Sequence, residues 1–194
     1  MGSEGAGSRR RLAAAIADCD PDVVALFDVG AGDALALATR FAYEWVSGSG
    51  AALLWRSPCA VQAVHDDPLP ASVPLLPFDR RSLLRAEARI HGRPVLLYAV
   101  RFSAERGACV RELRGARSRV QGRTPALLFT SGPLGRIGFD DRGLRTVAAS
   151  SDGEMRIHAR GIATAAPPAE TPGRHRSDHN AIVAVAVHGI PPPQ

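Results

Sequence analysis

The sequence predicts a single α/β (α+β) domain in which helices cover β-sheets. Short apolar runs bounded by Gly or Pro indicate buried strands, polar–apolar alternation indicates half-buried strands, and segments with helical spacing lie between them. The chain has 194 residues, of which 45% are hydrophobic and 22% are charged, and this is enough for one domain with its own core. We expect the domain over residues 9–190, after a disordered Gly/Ser-rich segment at 1–8.

The first 41 residues predict a helix, a strand and a second helix. Residues 9–19 are Ala-rich with apolar residues at helical spacing, and Pro21 ends this helix. The β-branched run at 22–29 predicts a buried strand. A Gly-Ala-Gly turn follows, and a second helix is expected at 33–41 with Asp33 as its N-cap.

The middle of the chain is rich in strand signals. Residues 42–64 predict three strands, of which the first two are joined by a Ser-Gly-Ser-Gly turn at 47–50. Several prolines in 66–80 predict an irregular surface loop. The segments on either side of His91-Gly92 predict an antiparallel hairpin, because the first alternates polar and apolar residues and the second is an apolar run.

The second half of the chain predicts one helix followed by strands. The Arg-rich segment at 107–122 has apolar residues at helical spacing, and the apolar run at 124–132 predicts another buried strand. Two short strands are expected at 145–150 and 154–159. A Pro-rich connector then leads to the apolar run at 181–187, which predicts the final strand.

The positive charge of the chain comes from arginine alone. All 24 Lys and Arg residues are Arg, and the formal net charge is +5. This is typical of a GC-rich genome, and the alternative is an Arg-lined surface for phosphates or nucleic acid. Arg111, Arg114 and Arg117 form one basic stripe on the predicted helix. Such a stripe either binds a phosphate backbone, which makes nucleic acid a candidate partner, or is a solvated face.

Cysteine usage and hydropathy favour a cytoplasmic protein. Cys19, Cys59 and Cys109 form no CxxC pair, so a thiolate metal site is not expected, and their odd number favours reduced thiols in a reducing compartment. The apolar run near the N-terminus is short and carries Asp18 and Asp20, which fits a helix better than a signal peptide. No apolar segment has membrane-spanning length, so we expect no membrane association.

One motif suggests a cofactor-binding turn. VVALFDVGAGDALALA at 23–38 resembles the first motif of class I methyltransferases, in which a Gly-rich turn after a strand lets the backbone approach the cofactor. Leu35 occupies the place of the third Gly, and the acidic ribose ligand expected about 20 residues further on is missing. An S-adenosylmethionine-dependent methyltransferase is therefore an alternative hypothesis, and it requires a parallel sheet.

Five segments in order resemble a different family. They are PDVVALFDV (21–29), GAALLWRSP (50–58), RPVLLYAVRF with VRELRGA (93–116), TPALLFTSGP (124–133) and SDHNAIVAVAV (177–187). Together they resemble the endonuclease/exonuclease/phosphatase superfamily, which has the DNase I-like fold. The resemblance implies a two-layer β-sandwich flanked by helices. It also implies truncation at the N-terminal strand, because the family's first strand has no counterpart before residue 9.

The resemblance also maps the family's catalytic positions onto this chain. The family hydrolyses phosphoesters with a divalent metal, and its metal-binding Glu falls at Asp28. The His of its "tH" motif falls at Arg101, which cannot act as a base. Its GDFN motif is replaced by Thr-Ser-Gly-Pro, with Ser131 at the Asp position. Asp178 and His179 match the closing motif, in which the His contacts the phosphate.

These substitutions predict a degenerate member without a complete metal-hydrolase site. Asp178 and His179 are the candidate catalytic residues, either as a base or phosphate-contact pair or as inherited scaffolding. Asp28 is the candidate metal ligand, for Mg²⁺ or Mn²⁺. Arg101 and Ser131 are the candidate ligand-binding residues for a small anion. Alternatively, Arg101 forms a salt bridge with Asp28 or Asp178, which would mark a dead metal site.

Two functional hypotheses follow from the resemblance. The favoured one is a ligand-binding or partner subunit, for instance in a biosynthetic complex. The other is an active metal-dependent phosphoesterase or nuclease that uses Asp28, Asp178 and His179 with rearranged partners. Because a sheet without its first strand would expose an edge or an apolar face, we also expect a homo-oligomer or a hetero-complex.

Overall fold

Two β-sheets pack face to face, and helices cover both outer faces. The structure is a computed structural model, and it describes residues 3–70, 81–133, 139–150, 154–162 and 181–185. The elements are α1 (Ser3–Cys19), β1 (Val23–Phe27), α2 (Ala31–Arg40), β2 (Glu44–Ser47), β3 (Ala51–Trp55), β4 (Cys59–Pro68), β5 (Ser82–Ile90), β6 (Arg93–Arg101), α3 (Arg106–Arg119), β7 (Ala126–Ser131), a 3₁₀ turn (Asp140–Arg142), β8 (Arg145–Ala149), β9 (Met155–Arg160) and β10 (Ala181–Val185). The predicted mixed α/β class is confirmed.

The strand order explains why the sandwich is mainly antiparallel. The first sheet has the order β10-β1-β3-β2 and the second has the order β4-β5-β6-β7-β9-β8. Among the described strands, only β6 and β7 pair in parallel, and α3 supplies the long crossover that a parallel pair needs. β1 is antiparallel to both of its neighbours. The methyltransferase hypothesis required a parallel sheet at this strand, so it is wrong.

The main core lies between the two sheets. One face of each sheet contributes apolar side chains to it, as the period of two along a strand requires. Phe27 and Leu53 come from the first sheet, and Leu84, Leu97 and Phe129 come from the second; none of the five is more than 1% exposed. This core brings the ends of β1 and β6 close to each other.

The helices cover the outer faces of the sheets. Leu12, Ile16 and Leu37 of α1 and α2 pack on Val24 and Leu26 of the first sheet. On the far side, α3 packs on the second sheet through Leu113, Ala116 and Val120, which contact a cluster that includes Tyr98, Val100 and Leu128. The protein therefore has four layers, in the order helix, sheet, sheet, helix.

Several element boundaries differ from the predicted ones. Helix α1 begins at Ser3, inside the segment 1–8 that was expected to be disordered. Asp33 is not the N-cap of α2, because the helix starts two residues earlier with Gly30 as its N-cap, and that cap makes no side-chain hydrogen bond. Strand β4 runs on to Pro68, into the predicted loop. The remainder of that loop, 71–80, lies outside the described residues.

The neighbours of β1 bear on the predicted gap in the first sheet. In the described part of the chain, α1 precedes β1 and no strand precedes α1. Strand β10 pairs along the whole of β1 on one side, and β3 pairs along the other side. Among the described strands, the two outer edges of this sheet are those of β10, next to β1, and of β2 at the other end. No described helix combines the length and the apolar character needed to span a membrane.

Candidate functional site

The candidate site lies where the end of β1 in the first sheet meets the end of β6 in the second. Asp28 follows β1 directly and has a φ of 57°, a left-handed conformation that Asp tolerates better than most residues. Its backbone N–H donates to the carbonyl of Gly50 at 3.4 Å. Arg101 is the last residue of β6. The buried strands therefore place an acidic and a basic side chain at the same end of the two sheets.

An ion pair joins the two sheets at this point. Nε of Arg101 contacts Oδ2 of Asp28. The Arg101 side chain is 20% exposed and the Asp28 side chain is 23% exposed. This partial shielding makes the attraction stronger than that of an exposed surface pair. Of the two sequence alternatives for Arg101, the structure shows the salt bridge to Asp28.

Ser131 lies beside Arg101 on the neighbouring strand. The two residues are register partners in the parallel β6–β7 pair, so their side chains leave the same face of the sheet. The carbonyl of Ser131 accepts a hydrogen bond of 2.8 Å from the N–H of Phe102. The next residue, Gly132, has a φ of 133°, and a Cβ there would lie 2.9 Å from the Cβ of Phe102. A close approach of two backbones thus fixes the end of β7.

A buried carboxylate holds the loop that follows Arg101. Glu112 of α3 is 3% exposed. It accepts hydrogen bonds from the backbone N–H of Ser103 at 2.7 Å and from the Ser103 hydroxyl at 2.5 Å. Because Ser103 is two residues after Arg101, α3 helps to fix the exit from β6.

The closing motif is only partly within the structure. Asp178 and His179 lie outside the described residues. The strand that follows them begins at Ala181, which pairs with Phe27, the residue before Asp28. The strand of the closing motif therefore lies beside the strand that leads into Asp28.

Comparisons with known proteins identify the fold. No family model matches the sequence, and no curated protein sequence matches it. Among solved structures, humanised TDP2 from D. rerio is 18% identical, with a TM-score of 0.62 over 84% of this chain and 79% of that one. The mannosyl-6-phosphatase of Bacteroides thetaiotaomicron is 14% identical, with a TM-score of 0.63 over 83% and 81%. Both belong to the endonuclease/exonuclease/phosphatase superfamily. The protein has the DNase I-like fold.

A third similar structure carries no stated function. It is a functionally unknown conserved protein from Enterococcus faecalis, 11% identical, with a TM-score of 0.67 over 80% of each chain. At such identities the similarity establishes the DNase I-like fold and nothing about activity. The predicted resemblance is therefore confirmed for the fold.

The described residues do not fit the divalent metal that DNase I-like enzymes use. They contain no group of three or more His, Cys, Asp or Glu side chains placed to hold a metal ion. Asp28, at the metal position, is already bound by the guanidinium of Arg101. Mg²⁺ is usually held through one or two carboxylates together with water, and the carboxylate that the described residues place here, that of Asp28, is already paired with Arg101.

Two of the cysteines are buried thiols. Burial raises the pKa of the Cys59 thiol to about 12, and it also raises the pKa of Cys109. Both thiols therefore stay protonated at neutral pH, and a protonated thiol is a poor nucleophile and a poor metal ligand. All three cysteines are free.

The basic stripe predicted on α3 is present on the helix surface. Arg111 and Arg114 are exposed and Arg117 is partly buried, while the acidic residue Glu112 points inwards. Two of the three guanidinium groups of the stripe therefore face solvent.

Sequence reasoning missed two residues near the site. Arg81 stands immediately before β5 and was treated only as part of a strand, although its side chain reaches Gly50 in the β2–β3 turn. Glu112 was treated as part of an Arg-rich helix, although it is buried. The signal for Glu112 was its place among apolar residues at helical spacing. Arg81 gave no comparable signal, because its contact with Gly50 joins residues of two different sheets that are far apart in the sequence.

Proposed function

We propose that the protein is a DNase I-like scaffold that binds an oxyanionic ligand and does not hydrolyse it by the family's metal chemistry. The observation that carries this proposal is the ion pair between Asp28 and Arg101. A cation at Asp28 would have to displace a guanidinium that stays charged at every accessible pH. The guanidinium of Arg101 thus supplies positive charge at the position where a metal ion supplies it in the enzymes of the family.

The same arginine supports binding of an anion. A guanidinium has five N–H donors in a planar fork, and the contact with Asp28 uses Nε. The remaining donors suit a phosphate or carboxylate group, which they can bind in bidentate fashion. Ser131, on the same face of the neighbouring strand, adds a hydroxyl that can donate or accept. The site is therefore suited to hold an oxyanion.

Loss of hydrolysis follows from the missing groups. Hydrolysis needs a base within hydrogen-bond reach of the attacking water and a metal that stabilises the developing charge. Arg101 cannot accept a proton, and Ser131 is not an anionic base. Catalytic groups that act together lose most of their effect when one is removed.

A turnover assay tests this function. The substrates are plasmid DNA, a single-stranded oligonucleotide, mannose 6-phosphate and a chromogenic phosphomonoester, each with Mg²⁺ or Mn²⁺. Two of them are chosen because the neighbours include TDP2 "complexed with single strand DNA product" and a mannosyl-6-phosphatase. We expect no turnover above that of heat-inactivated protein. Robust turnover that is abolished by His179→Ala but kept in His175→Ala would reject the proposal.

An active phosphoesterase is the second candidate function. The favouring observation is that Asp178-His179 stands in the sequence just before β10, whose first residue pairs next to Asp28. In this alternative, Asp28 binds a metal after the Arg101 side chain moves away, and Asp178 and His179 are the catalytic residues. The turnover assay decides between the two functions, because an active phosphoesterase requires metal-dependent turnover and the anion-binding scaffold predicts none.

We further propose that the protein acts as a dimer through the outer edge of β10, which pairs with no other strand in the described part of the chain. The other three sheet edges carry features that discourage pairing: β2 is four residues long, β4 has a bulge and ends at Pro68, and β8 has a bulge and an exposed Arg145. Strand β10, with the sequence AIVAV, has no charge, no Pro and no break in its register with β1. A second copy of the same strand is the simplest partner for it.

Light scattering at micromolar concentration tests the dimer. We expect twice the mass of one chain, 20.5 kDa, and a fall towards that mass on dilution. A monomer at every concentration would contradict pairing through β10.

A further inference from the structure

A second arginine reaches the candidate site from β5. Gly50, in the β2–β3 turn, has a φ of 87°. A Cβ added there would lie 3.0 Å from Nη1 of Arg81 and 3.6 and 3.8 Å from Cβ and Cδ of Arg101. Both side chains therefore pack against the same glycine, whose carbonyl accepts from Asp28. The lack of a side chain at Gly50 is what lets the two arginines approach.

Hydrogen bonds hold this turn in place. The N–H of Ser49 donates to Oγ of Ser82 at 3.2 Å, and Ser82 is 4% exposed. This bond links the turn of the first sheet to the start of β5 in the second sheet, next to Arg81. Because this bond ties the turn to the start of β5, it holds the backbone at Gly50 close to the backbone at Arg81.

The guanidinium of Arg81 has a donor that solvent cannot reach. Its Nε is inaccessible to water and has no hydrogen-bond acceptor among the described residues. Buried polar groups, and charged ones above all, are normally paired. Asp28 is bound to Arg101, and the described residues offer Arg81 no carboxylate. Counting the described residues alone, the site therefore has a surplus of positive charge and at least one unsatisfied donor.

We propose that Arg81 is the second arginine of an oxyanion site that it forms with Arg101, and that the site takes a phosphate or carboxylate group from solution. This inference rests on the proposed function and adds a residue to it. An oxyanion offers several acceptors in a small volume, which matches two guanidinium groups that meet at one glycine. Asp28 then fixes Arg101, and the Ser49–Ser82 bond keeps the turn against Arg81.

The test is a titration followed by NMR at the arginine side chains. The protein is labelled with ¹⁵N, and the Nε–H signal of Arg81 is assigned by its loss in Arg81→Gln. Inorganic phosphate is one probe and malonate is the other, so that the phosphate and carboxylate sources are compared. Affinities are measured for wild type, Arg81→Gln, Arg101→Gln and Arg145→Gln. Arg145 is the matched control, because it is exposed on the edge strand β8.

The expected result is saturable binding of at least one probe that shifts the Arg81 Nε–H signal. Arg81→Gln and Arg101→Gln each weaken binding by about tenfold or more, as the loss of charge-assisted hydrogen bonds predicts, and Arg145→Gln leaves it unchanged. Arg81→Lys keeps the positive charge but loses the planar pair of N–H donors, so the variant binds the anion with intermediate affinity. Thermal melts confirm that the variants are folded. If Arg81→Gln fails to fold, Arg81→Lys gives the same assignment, because it also lacks the Nε–H group, and the wild-type titration then decides.

Two outcomes would overturn the inference. If binding depends on Arg101 and the Arg81 signal does not move, Arg81 is not part of the site, while the proposed anion-binding function stands. If neither probe binds, the two-arginine site is rejected. The claim that the protein does not hydrolyse phosphoesters is judged separately by the turnover assay.

Discussion

Asp28 and Arg101 show how one ion pair changes what a catalytic position can do. The resemblance placed these residues at a metal position and a base position, and the salt bridge was one of two alternatives for Arg101. The structure shows the two in contact and largely shielded. Their adjacency depends on how the ends of two sheets meet, and no local sequence pattern contains this information. The possible contact was predicted from the order of the five family motifs.

A double-mutant cycle measures this ion pair. Asp28→Asn and Arg101→Gln each remove one charge and leave the other partly buried, so each is expected to lower the free energy of unfolding by about 1–3 kcal/mol. The double variant loses less free energy of unfolding than the sum of the two single losses, because it has no unpaired charge left partly buried. Urea denaturation gives the three values. Strict additivity would show that the two charges do not interact.

His158 is a buried residue that the sequence did not single out. It lies on β9 and is 0% exposed, with Thr146 Oγ1 3.1 Å from Nδ1 and Thr130 Oγ1 3.4 Å from Nε2. Its ring and that of Phe139 pack in a T-shaped arrangement at a centroid distance of 5.3 Å. Burial, and then the charge of Arg156, lower its pKa from 6.5 to about 4, and Asp140 opposes this. The imidazole is therefore neutral in the folded protein at neutral pH.

This pKa predicts how stability changes with pH. Between pH 6.5 and about pH 4 the unfolded chain binds a proton that the folded protein does not, so stability falls as the pH drops through that window. The full effect of this residue is about 3 kcal/mol, reached near pH 4. Urea denaturation at steps from pH 7.5 to 4.5 measures it. His158→Leu should remove most of the slope, and an unchanged slope would assign the effect to other groups.

Helix α3 illustrates what can be predicted at the level of elements. Its existence and position follow from helical spacing, and the strands around it follow from apolar runs and alternation. The failure at Asp33 has a simple cause: α2 begins at Ala31, so a residue expected to be the cap lies in the first turn. Boundaries depend on the packing of the ends, which the local pattern does not specify.

Glu112 connects α3 to the site and gives a prediction at this scale. Glu112→Gln removes the charge that accepts two hydrogen bonds from Ser103, so we expect a loss of about 2 kcal/mol in the free energy of unfolding. Because the loop follows Arg101, anion binding should weaken as well. Glu105→Gln, which changes an exposed glutamate at the start of the same helix, is the control. Equal effects of the two substitutions would argue against the positioning role.

At the scale of the whole molecule, the fold was more predictable than the site. Five motifs in sequence order were enough for the sandwich, because each occupies a strand or helix of the DNase I-like arrangement. The approach of Arg81 to Gly50 could not be predicted, because it depends on how the start of β5 meets a turn of the other sheet. The pairing of β10 with β1 likewise joins residues far apart in the chain.

Calorimetric titration with Mn²⁺ tests most directly whether Arg101 has replaced the metal at Asp28. We predict no saturable binding to the wild-type protein at millimolar Mn²⁺, because the carboxylate is already paired. Tight binding to the wild type that disappears in Asp28→Asn would contradict this account, since it would show that the metal displaces the guanidinium.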